Sequence, residues 1–330
     1  MNKFKKIGLT ALAASLVSVS AHAGEMSVSG SASMNSEGHT SSGAMLNAGT
    51  TFSMANSIMF TGSGELDNGL TASISFELDQ GTANNSGNNF DNHSVSISSD
   101  GLGTLTLAGH GGSSATSAID TTAAGDMWDN FDGLANGAGI TFAAGAKGQG
   151  VDNNAFFYKS PDLMDGLNLT LSYNPQVANG GAASETGYGF NYTGVEGLSL
   201  SYATTDVETG TASTSGDNTV YKGSYAYGPV TVSYSEMENS VAAASNALDR
   251  TSTSYAVSYT VSDELSLTYG SETHDKGDST VDMEVEGFSA SYTSGGMTVS
   301  AAMQSMDDGN FATATNNDVD YWALGFSFAF

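Results

Sequence analysis

The last ten residues, Tyr321 to Phe330, constrain this chain most. Trp322, Leu324, Phe326, Phe328 and Phe330 occupy every second position, and the residues between them are small or weakly polar. A period of two describes an extended strand with one apolar face. In water such a strand, ending on a bare aromatic, is an exposed edge that invites pairing with other chains. The pattern is satisfied if the apolar face meets lipid and the edge closes onto another strand.

The other end of the chain reads as an export signal. Lys3, Lys5 and Lys6 precede an apolar run from Ile7 to Val19, and Ala21-His22-Ala23 is a small-x-small cleavage site. The run is too short for a membrane-spanning helix. Residues 1–23 are therefore expected to be a signal peptide, and 24–330 one domain. Cleavage removes three of the eight basic residues and no acidic one, so the formal charge falls further below its full-length value of −27. So acidic a surface repels nucleic acid. With no cysteine, the exported chain has no disulfide framework, no thiol nucleophile and no thiolate metal site.

Alternation recurs along the mature chain. Phe52, Met54, Ile58 and Phe60 share one face of a segment near 50–62. Leu70, Ala72, Ile74, Phe76 and Leu78 share one face of the next, across an Asn68-Gly69 turn. Further segments are marked by Leu105 and Leu107, Leu167 to Tyr173, Leu198 to Tyr202, Tyr255 to Val261, and Met297 to Met303. Near 281–293 the apolar set changes parity between Val285 and Phe288, which predicts a bulge near Gly287. The reading predicts sixteen antiparallel strands, with short turns alternating with longer loops, as in a transmembrane β-barrel. A long segment, about 110–152, interrupts the pattern.

The two faces fix the setting. One is rich in Leu, Val, Phe and Tyr; the other is largely Ser, Thr, Asn, Ala and Gly, with few charges inside the strands. A soluble sandwich would put charges on its outer face. A face of small hydroxyl residues suits a water-filled lumen. Tyr173, Tyr202, Tyr227, Tyr234, Tyr269 and Tyr292 near strand ends fit an interfacial girdle.

At this point a family resemblance appears. Glu25 to Met34, Phe60 to Phe76, Gly101 to Gly109, Gly125 to Leu134 and Asp152 to Tyr158 resemble successive segments of general diffusion porins of Gram-negative outer membranes, of the alphaproteobacterial type. The resemblance implies an all-β, sixteen-stranded barrel, a homotrimer, and a third loop folded into the lumen. It implies an integral outer-membrane location among lipid and lipopolysaccharide. It also implies that Phe330 is an assembly signal read by the outer-membrane assembly machinery. The cargo would be small hydrophilic solutes and ions, in passive diffusion.

In such a barrel the third loop carries the chemistry. Asp120, Asp126, Asp129 and Asp132 are its candidate constriction acids, with Asp152 at its end, and Lys147 is its one base. Carboxylates in a confined channel favour cations. Porins of this type usually oppose these acids with a basic cluster on the first strands. Here the matching positions, including Ser31, Ser33, Ser53, Ala55 and Ser57, are uncharged. Strand parity leaves Lys159, Lys222 and Arg250 as inward bases and adds Glu77 and Glu272 as inward acids. The expectation is a cation-selective pore. Ca²⁺, held by Asp126, Asp129 and Asp132, is the one cofactor these residues admit, although their spacing is not that of an EF-hand.

Other functions fit less well. Of the mature histidines, His39, His93 and His274 are expected in external loops and His110 at the root of the long one, and none belongs to a catalytic motif, so no enzyme is expected. The alternatives are a substrate-selective porin and a barrel that serves only as a scaffold for surface binding.

Overall fold

The structure is a computed structural model. It describes residues 26–41, 49–79, 91–132, 134, 153–175, 184–209, 212, 215–243, 246–313 and 317–330. The expected signal peptide, residues 1–23, lies outside the described residues, as do Lys147 and Asp152. Sixteen strands form one closed antiparallel barrel, each pairing with its sequence neighbours and the last with the first.

In chain order β1 to β8 are Met26–Ser41, Gly49–Glu65, Thr71–Asp79, His93–Ser99, Gly103–His110, Ala155–Lys159, Leu167–Asn174 and Ser184–Tyr192. Strands β9 to β16 are Leu198–Glu208, Gly216–Tyr227, Val230–Val241, Arg250–Thr260, Leu265–Lys276, Met283–Ser294, Met297–Asp307 and Val319–Ala329. Sixteen strands enclose an interior too wide for side chains alone to fill, which leaves room for a channel.

Register carries a single in-out parity round the wall. Ser33 lies opposite Ala55 on one side and Ser327 on the other, and all three face inward. The outward set is apolar and uncovered: Val28, Phe52, Leu171, Val257, Leu267 and Phe288 are all exposed. A continuous belt of this kind far exceeds the apolar patch a soluble monomer leaves in water. Outward tyrosines pack across strands, with ring centroids 5.2 Å apart for Tyr202–Tyr221 and 5.0 Å for Tyr234–Tyr255. Tyr173, Tyr227 and Tyr292 stand exposed at or near strand ends, as a girdle requires.

The seam is closed by the terminal residue. Phe330 N–H donates to the Gly30 carbonyl at 3.0 Å, and Gly30 N–H donates back at 2.7 Å. These bonds extend the β1–β16 ladder past the end of β16, so the last strand has no free edge there.

Two local expectations are corrected. No bulge occurs at Gly287: β14 keeps an unbroken register with β13 and β15. The apolar set changes parity because Met283 and Val285 face inward, where they have their own packing partners. The register shift lies instead between His93 and Ser94, opposite His110. There the His93 ring occupies the space a Cβ on Gly109 would need, its Nε2 only 2.1 Å from that position.

The histidines are the second correction. His39 and His274 belong to β1 and β13, and His93 opens β4. Strands of 16 and 17 residues at β1 and β2 run well beyond the ~9–11 needed to span a bilayer, so positions expected in loops stand on the wall.

Candidate functional site

From Gly111 the chain turns into the barrel and follows the inner wall. Ala115 N–H donates to Ser172 Oγ on β7 at 2.9 Å, and the Thr116 hydroxyl to Thr205 on β9 at 2.9 Å. Ala123 N–H reaches Ser235 on β11 at 2.8 Å, and Ala124 N–H reaches Ser254 on β12 at 3.0 Å. Met127 and Trp128 N–H donate to Glu272 on β13. Asn130 donates its amide to Gln304 on β15 at 2.8 Å, and its carbonyl accepts from His39 on β1 at 2.8 Å.

The loop therefore laps the wall in strand order from β7 to β1. Wall side chains accept backbone N–H groups that an irregular segment would otherwise leave unpaired. Glycines admit this close approach. A Cβ on Gly270 would stand 2.6 Å from Ala124 Cβ, and one on Gly187 3.0 Å from Ala115 Cβ.

The loop also has an apolar anchor. A short 3-10 turn, Met127–Asn130, buries Met127 and Trp128. These pack with Phe131, Leu134, Met283, Val285, Met306, Val319 and Tyr321 in one cluster. The inward Met and Val residues of β14 to β16 are thus the socket for the loop tip. Trp128, 1% exposed, fixes the loop to the wall rather than standing free in it.

The expected constriction acids lie along this path. Asp129 and Asp132 are exposed, while Asp120 and Asp126 are half-buried. Asp126 adopts the left-handed conformation (φ 56°), and its carboxylate accepts the Thr122 N–H at 2.8 Å. Among the described residues no group of three or more acids and histidines is arranged to hold a metal ion.

The inward bases separate by height. Lys222, midway along β10, donates to the Thr121 carbonyl at 2.5 Å and interacts electrostatically with Asp126 and Asp120. Lys159 ends β6 beside a short turn, far from the loop's level. Arg250 begins β12 at the opposite mouth, its guanidinium 5.2 Å from the Phe311 ring centroid. Lys276 faces inward beside Arg250 and is absent from the inward bases that parity gives, because β13 continues beyond its apolar residues to Lys276. Its ammonium lies 2.9 Å from Asp278, and that contact holds the Asp278 carboxyl below the usual carboxylate range.

The two extra acids part company. Glu77 on β3 faces the lumen and accepts from Ser57 and Asn92, both at 2.6 Å. It stands half-way round the barrel from β11, across from the loop. Glu272 also points inward, but the loop covers it and leaves it 1% exposed, so it does not line the water-filled passage.

A closed sixteen-stranded barrel with an inner loop and a polar lumen is a channel architecture. The model of the family described as Gram-negative porin matches residues 8–285. The chain belongs to the Gram-negative porin family. No curated protein matches it. Among solved structures, the anion-selective porin from Comamonas acidovorans is similar at 17% identity and a TM-score of 0.67, over 93% of this chain and 99% of that one. A porin refined at 1.8 Å resolution is similar at 17% identity and a TM-score of 0.64, over 93% and 100%. An engineered variant of the Rh. blastica porin is similar at 22% identity and a TM-score of 0.63, over 93% and 100%. At these identities the structural matches speak to the fold alone. Membership of the porin family makes this an integral outer-membrane channel protein for passive diffusion, a family of channels rather than of enzymes.

Proposed function

We propose that this porin is a cation-preferring diffusion channel for small hydrophilic solutes. The distribution of charge at the level of the loop carries the reading. There the one Lys or Arg of the described wall, Lys222, is drawn against the loop between Asp126 and Asp120. The facing wall offers Glu77 and hydroxyls where a basic cluster would be needed to balance the loop acids. Carboxylates on both sides of a narrow aqueous passage attract cations more strongly than they would on an open surface.

The same reading makes the protein a homotrimer among lipid and lipopolysaccharide. Residues 1–23 act as its export signal, and Phe330 is the end recognised by the assembly machinery. Reversal potentials across a KCl gradient in planar bilayers test the selectivity. A clear K⁺ preference that shrinks at high salt is expected. A Cl⁻ preference would sink it, and absence of conductance from folded protein would favour a surface-binding scaffold.

A further inference from the structure

Glu272 stands out against the hydroxyls with which the wall accepts other N–H groups of the loop. Ser235 and Ser254 each take one loop N–H with a hydroxyl. Glu272 takes three donors: the Thr122 hydroxyl and the Met127 N–H on Oε1, and the Trp128 N–H on Oε2 at 2.9 Å. Only an ionised carboxylate accepts this many bonds without bringing a donor of its own, whereas an amide or hydroxyl carries hydrogens that oppose N–H groups.

His274, also fully buried, stands beside it. Its Nε2 lies 3.5 Å from Glu272 Oε2, and its Nδ1 lies 2.7 Å from Ser252 Oγ. The contact between Ser252 Oγ and Nδ1 holds the imidazole in place beside the carboxylate.

The contact runs on to the lumen. Thr122 Oγ1, which donates to Glu272, also accepts the Asp126 N–H at 2.7 Å. The Asp126 carboxylate closes the turn on Thr122 N–H. Glu272 thus reaches Asp126 through a single side chain.

We infer that Glu272, with His274 beside it, is the positioning residue of the pore: from beneath the loop its charge sets where Asp126 and Asp129 stand in the lumen. This rests on the reading of those aspartates as the selectivity acids. Glu272→Gln puts an amide where three donors converge. Thr122→Val cuts the relay from the loop side and leaves every barrel strand unchanged. Thr122→Ser restores it.

Single-channel recordings with reversal potentials test this. Glu272→Gln and Thr122→Val should both raise open-channel noise, with about tenfold more time in a displaced-loop state, and both should weaken K⁺ preference. Thr122→Ser should match the wild type. The double variant should be no worse than the worse single, as for two members of one network. A role confined to barrel stability would lower the dissociation temperature but leave noise and reversal potential unchanged in the channels that survive, and that outcome overturns the inference. If the wild type conducts without ion preference, the reading of the loop acids fails instead. If a selective wild type is matched by Glu272→Gln and Thr122→Val, the positioning role alone fails.

Discussion

The Lys222 ammonium donates to the Thr121 carbonyl at 2.5 Å, so the base at mid-height lies against the loop and not out in the lumen. A cation tied there offsets part of the loop's own negative charge. Lys222→Gln should therefore raise the K⁺ over Cl⁻ permeability ratio by roughly twofold to fivefold at low salt. The gain should fade in 1 M salt, where the Debye length is about 3 Å. Reversal potentials at two ionic strengths check both parts.

In the proposed pore the loop acids and Glu77 face each other across the passage, and their effects should differ in kind. Asp129→Asn and Asp132→Asn remove exposed charge and should lower cation preference with little change in current noise. Glu77→Gln should lower it as well, and its contacts to Ser57 and Asn92 leave the wall intact. Because the sites lie on opposite sides, a variant changed at both Asp129 and Glu77 should show nearly additive shifts. Shifts confined to the loop variants would mean that Glu77 contributes no field.

Gly270 lets the loop lie flat on β13. Gly270→Val would force Ala124 away from the wall, and the lumen is the space open to it. Single-channel conductance should fall, while the heat needed to dissociate the folded barrel changes little. Unchanged conductance would show that the loop yields elsewhere.

The seam should be sensitive to its last residue. Deleting Phe330 removes both backbone bonds to Gly30 and the ring that lies over it. Lost bonds at this exposed edge are worth about 1 kcal/mol each. The deletion should slow folding into detergent or lipid and lower the yield of heat-modifiable barrel on a gel, with normal conductance from the barrels that close. Gly30→Val should give a milder version, since the Phe330 ring must move to admit it.

Much of this was legible in the residues because a barrel wall repeats a simple rule. Alternation marked all sixteen strands, and parity placed Ser31, Ser33, Ser53, Ala55 and Ser57 on the lumen side. The same rule misled wherever the lumen side is not wet. Met283 and Val285 are apolar and inward because Trp128 packs on them, so an environment change looked like a bulge. Glu272 and His274 looked like a pore charge and a loop histidine, since periodicity says nothing of a loop laid over the strand. The true register shift at His93 left no mark in the apolar pattern, though Gly109 beside it supplied the space.

The path of the loop has one more consequence. Serine and threonine hydroxyls on β7, β9, β11 and β12 accept the loop's backbone N–H groups, while those on β2 to β5 stay on the facing wall. Beside the stretch from Gly111 to Leu134 the water column is therefore eccentric, displaced from the barrel axis toward the early strands. A solute passing there would meet a hydroxylated surface bearing Glu77 on one flank and the loop's several aspartates on the other. A molecule with its own dipole would be turned before it is sieved, so its orientation as well as its width would govern how fast it crosses.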